Sequence, residues 1–156
     1  MKLARYYVAK WGGIKRNSDA ILSKYVTDDP VALAGRGKTG IASWSKVLCI
    51  RDPAKYAIFD ARVSASLNCL QISNPVIQPA MFPCLSTQNA DVKEANKNIR
   101  SIAAKNCWPQ ANKLFYQNYL LLIGAAPEAC GTCIQTIEMV LFSSTIDFIK
   151  ELPTSD

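Results

Sequence analysis

Apolar positions recur three and four apart through most of this chain, the spacing of one helical face. In "KLARYYVAKW" the pattern predicts a helix stopped by Gly12-Gly13, and in "NSDAILSKYV" a second one capped by Ser18 or Asn17. Asp29 before Pro30 predicts a short helix to about Ala34, because Pro suits the first helical turn and Asp caps it. "SWSKVLCI" is helical again, with Ser43 as its cap, and ends before Pro53. "AKYAIFD" reads as a brief extended connection. Asp60 then caps a helix over "ARVSASLNCL", where Val63, Leu67 and Leu70 share a face.

Three prolines in "ISNPVIQPAMFPC" make that segment irregular, a crossover loop at about 73–84 in which insertions and variation should be tolerated. Helical spacing resumes in "DVKEANKNIRSIAAKN", with Val92, Ala95, Ile99, Ile102 and Ala103 as its apolar stripe. Pro109 is expected to open the next helix, in which Leu114, Phe115, Tyr119, Leu122 and Ile123 form a broad face and Gly124 is the stop. "CIQTIEMVLFSS" and "IDFIKEL" close the chain with one or two helices. Strand signals are weak, so the expected fold is all-α, a single helical domain over residues 1–156 with about seven or eight helices.

Length and composition narrow the picture. A chain of 156 residues can bury one sizeable core, and no apolar run approaches the length of a membrane span. The N-terminus has no clean apolar stretch before a small-residue cleavage site, which points to an intracellular, cytoplasmic protein. The six cysteines are then expected to be mostly buried thiols. Only Cys130 and Cys133 form a close pair, read as helix-start cysteines. A structural zinc site wants four ligands and this chain has no histidine, so no metal or cofactor is expected. Charge is informative once split along the chain. Residues 1–62 hold 12 Lys and Arg against 5 acids, and residues 63–156 hold 6 against 7. The whole net charge of +6 therefore sits in the first part, as a polyanion-binding face would require.

The stretch "LAGRGKTGIASWSK", residues 33–46, concentrates glycine and positive charge. Its Gly-Lys-Thr resembles the end of a P-loop, but that motif needs glycine where Ala32 stands and an apolar strand upstream, where a short capped helix is predicted instead. Two short helices joined by a glycine turn form a different phosphate-gripping device. Positive-φ glycines leave backbone N–H groups unobstructed, and the second helix adds the positive end of its dipole. Gly37, Lys38, Gly40 and Ser43 are the candidate phosphate contacts, in a hairpin at about 30–50.

"GIASWSKVLCIRDPAKYAIFDARVSASL" resembles the helix-hairpin-helix segment of base-excision DNA glycosylases, specifically the bacterial 8-oxoguanine glycosylase-like branch. Gly40-Ile41, Ser45-Lys46, Pro53, Asp60 and Arg62-Val63 carry the likeness in order. "IEMVLFS" at 137–143 is similar to that branch's final helix, and "AKWGGIKRN" to an early one. The resemblance implies a helix-hairpin-helix glycosylase-like domain that removes an oxidised purine from duplex DNA, with or without AP lyase activity, as a monomer associated with the nucleoid.

It also implies roles. A hairpin lysine, here Lys46, attacks the sugar C1′ as the neutral amine, and an aspartate, here Asp60, stabilises developing positive charge. Trp44 and Tyr119 are candidates for the base pocket, where an aromatic stacks on a flipped base. The family frame places its lysine where Trp44 stands, as in monofunctional members, and Lys46 follows two residues later. Two residues turn a helical side chain by about 200°. Which of the two faces the sugar is left open by the sequence, as is the alternative of a helix-hairpin-helix DNA-binding module without catalysis.

Overall fold

The computed structural model describes residues 1–153, apart from the side chains of Glu128 and Cys130. The fold is all-α. The elements are α1 (Lys2–Arg5), running into a π-helical turn at Tyr6–Trp11, then α2 (Asp19–Thr27), α3 (Pro30–Ala34), α4 (Ile41–Arg51) and α5 (Ala61–Ser73). They continue as α6 (Ala90–Lys105), α7 (Phe115–Cys130), α8 (Ile134–Ser143) and α9 (Thr145–Lys150). Among the described residues the extended pairing is confined to one bridge between Met81 and Gln110. The chain divides into two compact units, Met1–Phe59 with Lys113–Ile137, and Asp60–Asn112 with Glu138–Asp156.

In the first unit α4 is the central element. Ile41 and Ser43 to Leu48 are all buried, so over this stretch the helix is enclosed on every side, whereas Ala42, Cys49 and Ile50 are half-buried. An aromatic cluster holds the unit together. Trp44 meets Tyr116 edge to face at 4.7 Å, and Phe59 meets Tyr119 and Phe115 at 5.2 Å each. Such pairs add to the large apolar area that each ring buries.

The extended segment 57–59 crosses this core without a strand partner, and its polar groups find side chains instead. Tyr116 Oη donates to Ala57 O and Tyr119 Oη to Ile58 O, both at 2.9 Å, while Phe59 N donates to Ser45 Oγ at 3.1 Å. Unmatched, each such buried group would cost about 1–3 kcal/mol. The late aromatics are thereby tied to the core by both their rings and their hydroxyls.

The second unit is built on α5, α6 and α9. Ala65, Cys69, Met81, Val92, Ala95, Ile99 and Ala103 form its core, with Trp108, Ile146 and Leu152 against it. Asp60 caps α5 as expected, its Oδ1 accepting from Arg62 N at 2.9 Å and Val63 N at 3.1 Å. The proline-rich segment is irregular, yet its second half is not a free loop. Ser64, Asn68 and Gln71 stand at i, i+4 and i+7 on α5 and bond in turn to Pro83 O, to both backbone groups of Phe82 and to both of Ala80. Met81 N and O are bound by Pro109 O and Ala111 N. Variation is therefore expected only around the exposed 74–78 stretch.

Several boundaries differ from the sequence expectation. Pro109 does not open a helix, because 109–111 is extended against Met81, and α7 begins only at Phe115. Gly124 does not stop α7, which runs through it and Pro127 to end at Gly131 with φ +61°. A helical glycine costs about 1 kcal/mol against alanine, less than the burial of Phe115, Tyr116, Tyr119 and Ile123 returns. Leu114 and Leu122, expected on the apolar face, are exposed. Cys130 ends α7 and Cys133 precedes α8, so the pair does not start a helix together; the Cys130 side chain lies outside the described residues.

Candidate phosphate-binding turn

The sequence between α3 and α4 folds as a six-residue turn, 35–40. Asp29 Oδ2 caps α3 by accepting from Val31 N and Ala32 N. Gly37 and Gly40 both take positive φ, +58° and +71°. At Gly40 glycine is required twice over, since an added β-carbon would lie 2.5 Å from Tyr25 Oη. Gly37 has open space around it and needs glycine for its backbone alone.

This conformation leaves amides over. Among the described residues the N–H groups of Lys38, Gly40 and Ala42 donate to no acceptor, whereas those of Gly37, Thr39 and Ile41 are used inside the turn. The three lie at or before the first turn of α4, where the helix dipole is positive. Arg36, Lys38, Thr39 and Gly40 are exposed, and the Arg36 guanidinium sits 5.4 Å over the Tyr25 ring. The turn combines open donors, two cations and sequence-independent backbone, the chemistry that grips a phosphate.

The other predicted residues are placed differently. Gly40, not Ser43, is the N-cap of α4. Ser43 is buried inside the helix, accepting at 2.7 Å from Asn17 Nδ2. Trp44 is fully buried, with Nε1 donating to Thr39 O at 3.1 Å, so its ring props the turn from beneath. Tyr119 is equally buried in the aromatic cluster.

Lys46 is 3 % exposed. Its stem passes Gly12, where an added β-carbon would come within 2.8 Å of Lys46 Cε. Its Nζ donates to Ala42 O at 3.0 Å and lies 5.9 Å from the centre of the Trp11 ring, which is itself half exposed. Both alternatives for the sugar-facing residue are thus turned into the first unit. Asp60 begins the second unit, half-buried and committed by one oxygen to capping α5.

Two contributors escaped the sequence reading. Tyr25 shapes the turn from α2, and Trp11 covers Lys46 from the π-helical segment. Neither carries a local signal, since an aromatic at helical spacing looks like any core residue. No protein-family model, curated protein or solved structure matches the chain.

Among the described residues no helix is long and apolar enough to cross a membrane.

Proposed function

We propose that this chain is a helix-hairpin-helix DNA-binding module, which grips the phosphate backbone with the 35–40 turn and the start of α4. The observation that carries the reading is the set of amides without acceptors at Lys38, Gly40 and Ala42, flanked by exposed Arg36 and Lys38. The concentration of positive charge in residues 1–62 supports it, because cations near phosphates release counterions and strengthen binding. Contacts of this kind position a protein on DNA without reading its sequence.

Of the two readings that the sequence leaves open, a glycosylase and a module without catalysis, the geometry favours the module. Lys46 would have to leave Ala42 O and emerge from under Trp11 to reach a sugar, and neither Trp44 nor Tyr119 offers a face to a flipped base. Fluorescence anisotropy with an undamaged duplex at several salt concentrations tests the module. Binding should weaken as salt rises, and Lys38→Gln should lower the log–log salt slope by about 1. No binding at low salt would sink the proposal. Base release from a duplex containing 8-oxoguanine would restore the glycosylase reading, and with an abasic-site duplex and borohydride a covalent adduct that disappears in Lys46→Ala would restore the lyase reading.

A further inference from the structure

A different cluster of donors lies in the second unit. Segment 85–87 runs beside α6, and the two enclose a hollow of about 260 Å³ lined by Ser86, Thr87, Lys93, Asn96, Lys97 and Arg100. Lys93, Lys97 and Arg100 stand at i, i+4 and i+7, so α6 presents three cations on the face that bears Asn96. Residues 63–156 hold only 6 Lys and Arg against 7 acids, which makes this a local concentration and not a generally basic surface. Glu94 pairs with Lys97 at 2.6 Å at the exposed rim. The Cys84 thiol lies on this side of α6 too, with Sγ donating to Asn96 O at 4.0 Å.

Asn96 adds an unmet demand. The residue is only 3 % exposed, and Nδ2 donates to Leu85 O at 3.3 Å. That bond fixes the amide, because a flip would set two oxygens against each other. Oδ1 is left buried without a partner, an expensive state for an acceptor. The hollow therefore offers ammonium, guanidinium and hydroxyl donors, and Asn96 in its wall holds a buried acceptor that needs a donor. Thr87 Oγ1 accepts from Asn89 N, which leaves its hydroxyl proton to point elsewhere.

We propose that this hollow binds a small phosphate-bearing ligand with a hydroxyl beside its anionic oxygens, either hydrogen phosphate itself or a sugar phosphate. Lys93, Lys97, Arg100 and the two hydroxyls meet the anionic oxygens, and Asn96 Oδ1 accepts from the ligand hydroxyl. Oδ1 is closed to water in the unliganded chain, so the ligand enters by easing segment 85–87 away from Asn96, against the 3.3 Å Leu85 bond. A phosphodiester within a DNA strand has no such hydroxyl, so this site is independent of the DNA-binding reading.

Sulfate supplies the decisive comparison, having the shape and charge of phosphate but no O–H at neutral pH. In calorimetric titrations of the full chain at matched ionic strength, inorganic phosphate should saturate at least about tenfold more tightly than sulfate. Arg100→Gln should weaken phosphate by about tenfold, and Asn96→Leu should erase the preference over sulfate. If Asn96→Leu does not fold, exposed Lys93→Gln carries the test, with a loss of phosphate affinity expected and DNA affinity unchanged. A parallel titration with ribose 5-phosphate identifies the source: tighter binding than phosphate assigns the site to a phosphorylated sugar, weaker binding to the free anion. Equal affinity for phosphate and sulfate, phosphate binding indifferent to Lys93→Gln and Arg100→Gln, or a loss of DNA affinity in Lys93→Gln would each overturn the inference.

Discussion

The hydroxyl of Tyr25 covers the α-carbon of Gly40, close enough that any β-carbon there would meet it at 2.5 Å. A residue on α2 thus dictates which side chain can start α4, and with it the shape of the turn. Gly40→Ala should destabilise the protein by about 2–4 kcal/mol, summing left-handed backbone strain and overpacking. Gly37→Ala, which meets no neighbour, should cost about 1–2 kcal/mol. Urea denaturation of both variants checks the difference, and Tyr25→Phe should recover part of the Gly40→Ala loss, since the next ring atom lies 3.6 Å away. Equal costs at the two glycines would contradict the contact.

Tyr116 and Tyr119 are buried and donate to the carbonyls of Ala57 and Ile58. Tyr119→Phe should lower stability by about 1–3 kcal/mol, because Ile58 O loses a buried donor. Duplex affinity of the folded variant should stay at the wild-type value. A variant of full stability with impaired DNA binding would return Tyr119 to the binding surface.

Asn68 is the strongest link between α5 and the proline-rich segment. Its amide meets both the N–H and the C=O of Phe82, so Asn68→Leu removes two buried hydrogen bonds and should cost about 2–6 kcal/mol. Gln71→Leu removes the equivalent pair at Ala80, where partial exposure lets water substitute, and should cost less. Thermal unfolding of the two variants gives the order directly.

The thiols should separate by pH. Burial pushes the Cys69 thiol up to about 12, whereas hydrogen bonding from Thr136 lowers that of exposed Cys133 below the ordinary range. Cys133 should accordingly alkylate at lower pH than an ordinary thiol, and Cys69 only on unfolding, which peptide mass mapping after iodoacetamide can follow. For Cys69 the folded state holds its proton to higher pH than the unfolded chain. Its contribution to stability is complete below the ordinary thiol range and is lost as pH rises from about 9 toward 12. Stability that increased across that window would contradict a buried neutral Cys69.

Local chemistry was legible from the chain alone. Caps at Ser18, Asp29 and Asp60, the stop at Gly12, the break before Pro53 and the apolar stripe of α6 all follow from interactions within one helical turn. The positive-φ glycines of the 35–40 turn belong to the same class, because a side chain is excluded there by its own backbone. So does the uneven charge, which needs no fold to be counted.

What tertiary structure decided is which neighbour answers each polar or apolar group. Gly124 and Pro109 carry stop and start signals worth about 1 kcal/mol, and packing of α7 in one case and pairing with Met81 in the other overrode them. Ser64, Asn68 and Gln71 look like ordinary polar positions until the proline-rich backbone is laid across them. Lys46 and Trp44 point about 200° apart on α4, and the chain alone would expose one of them. Both are buried because this stretch of α4 is enclosed on every side, a property of the elements around a helix and not of its own sequence.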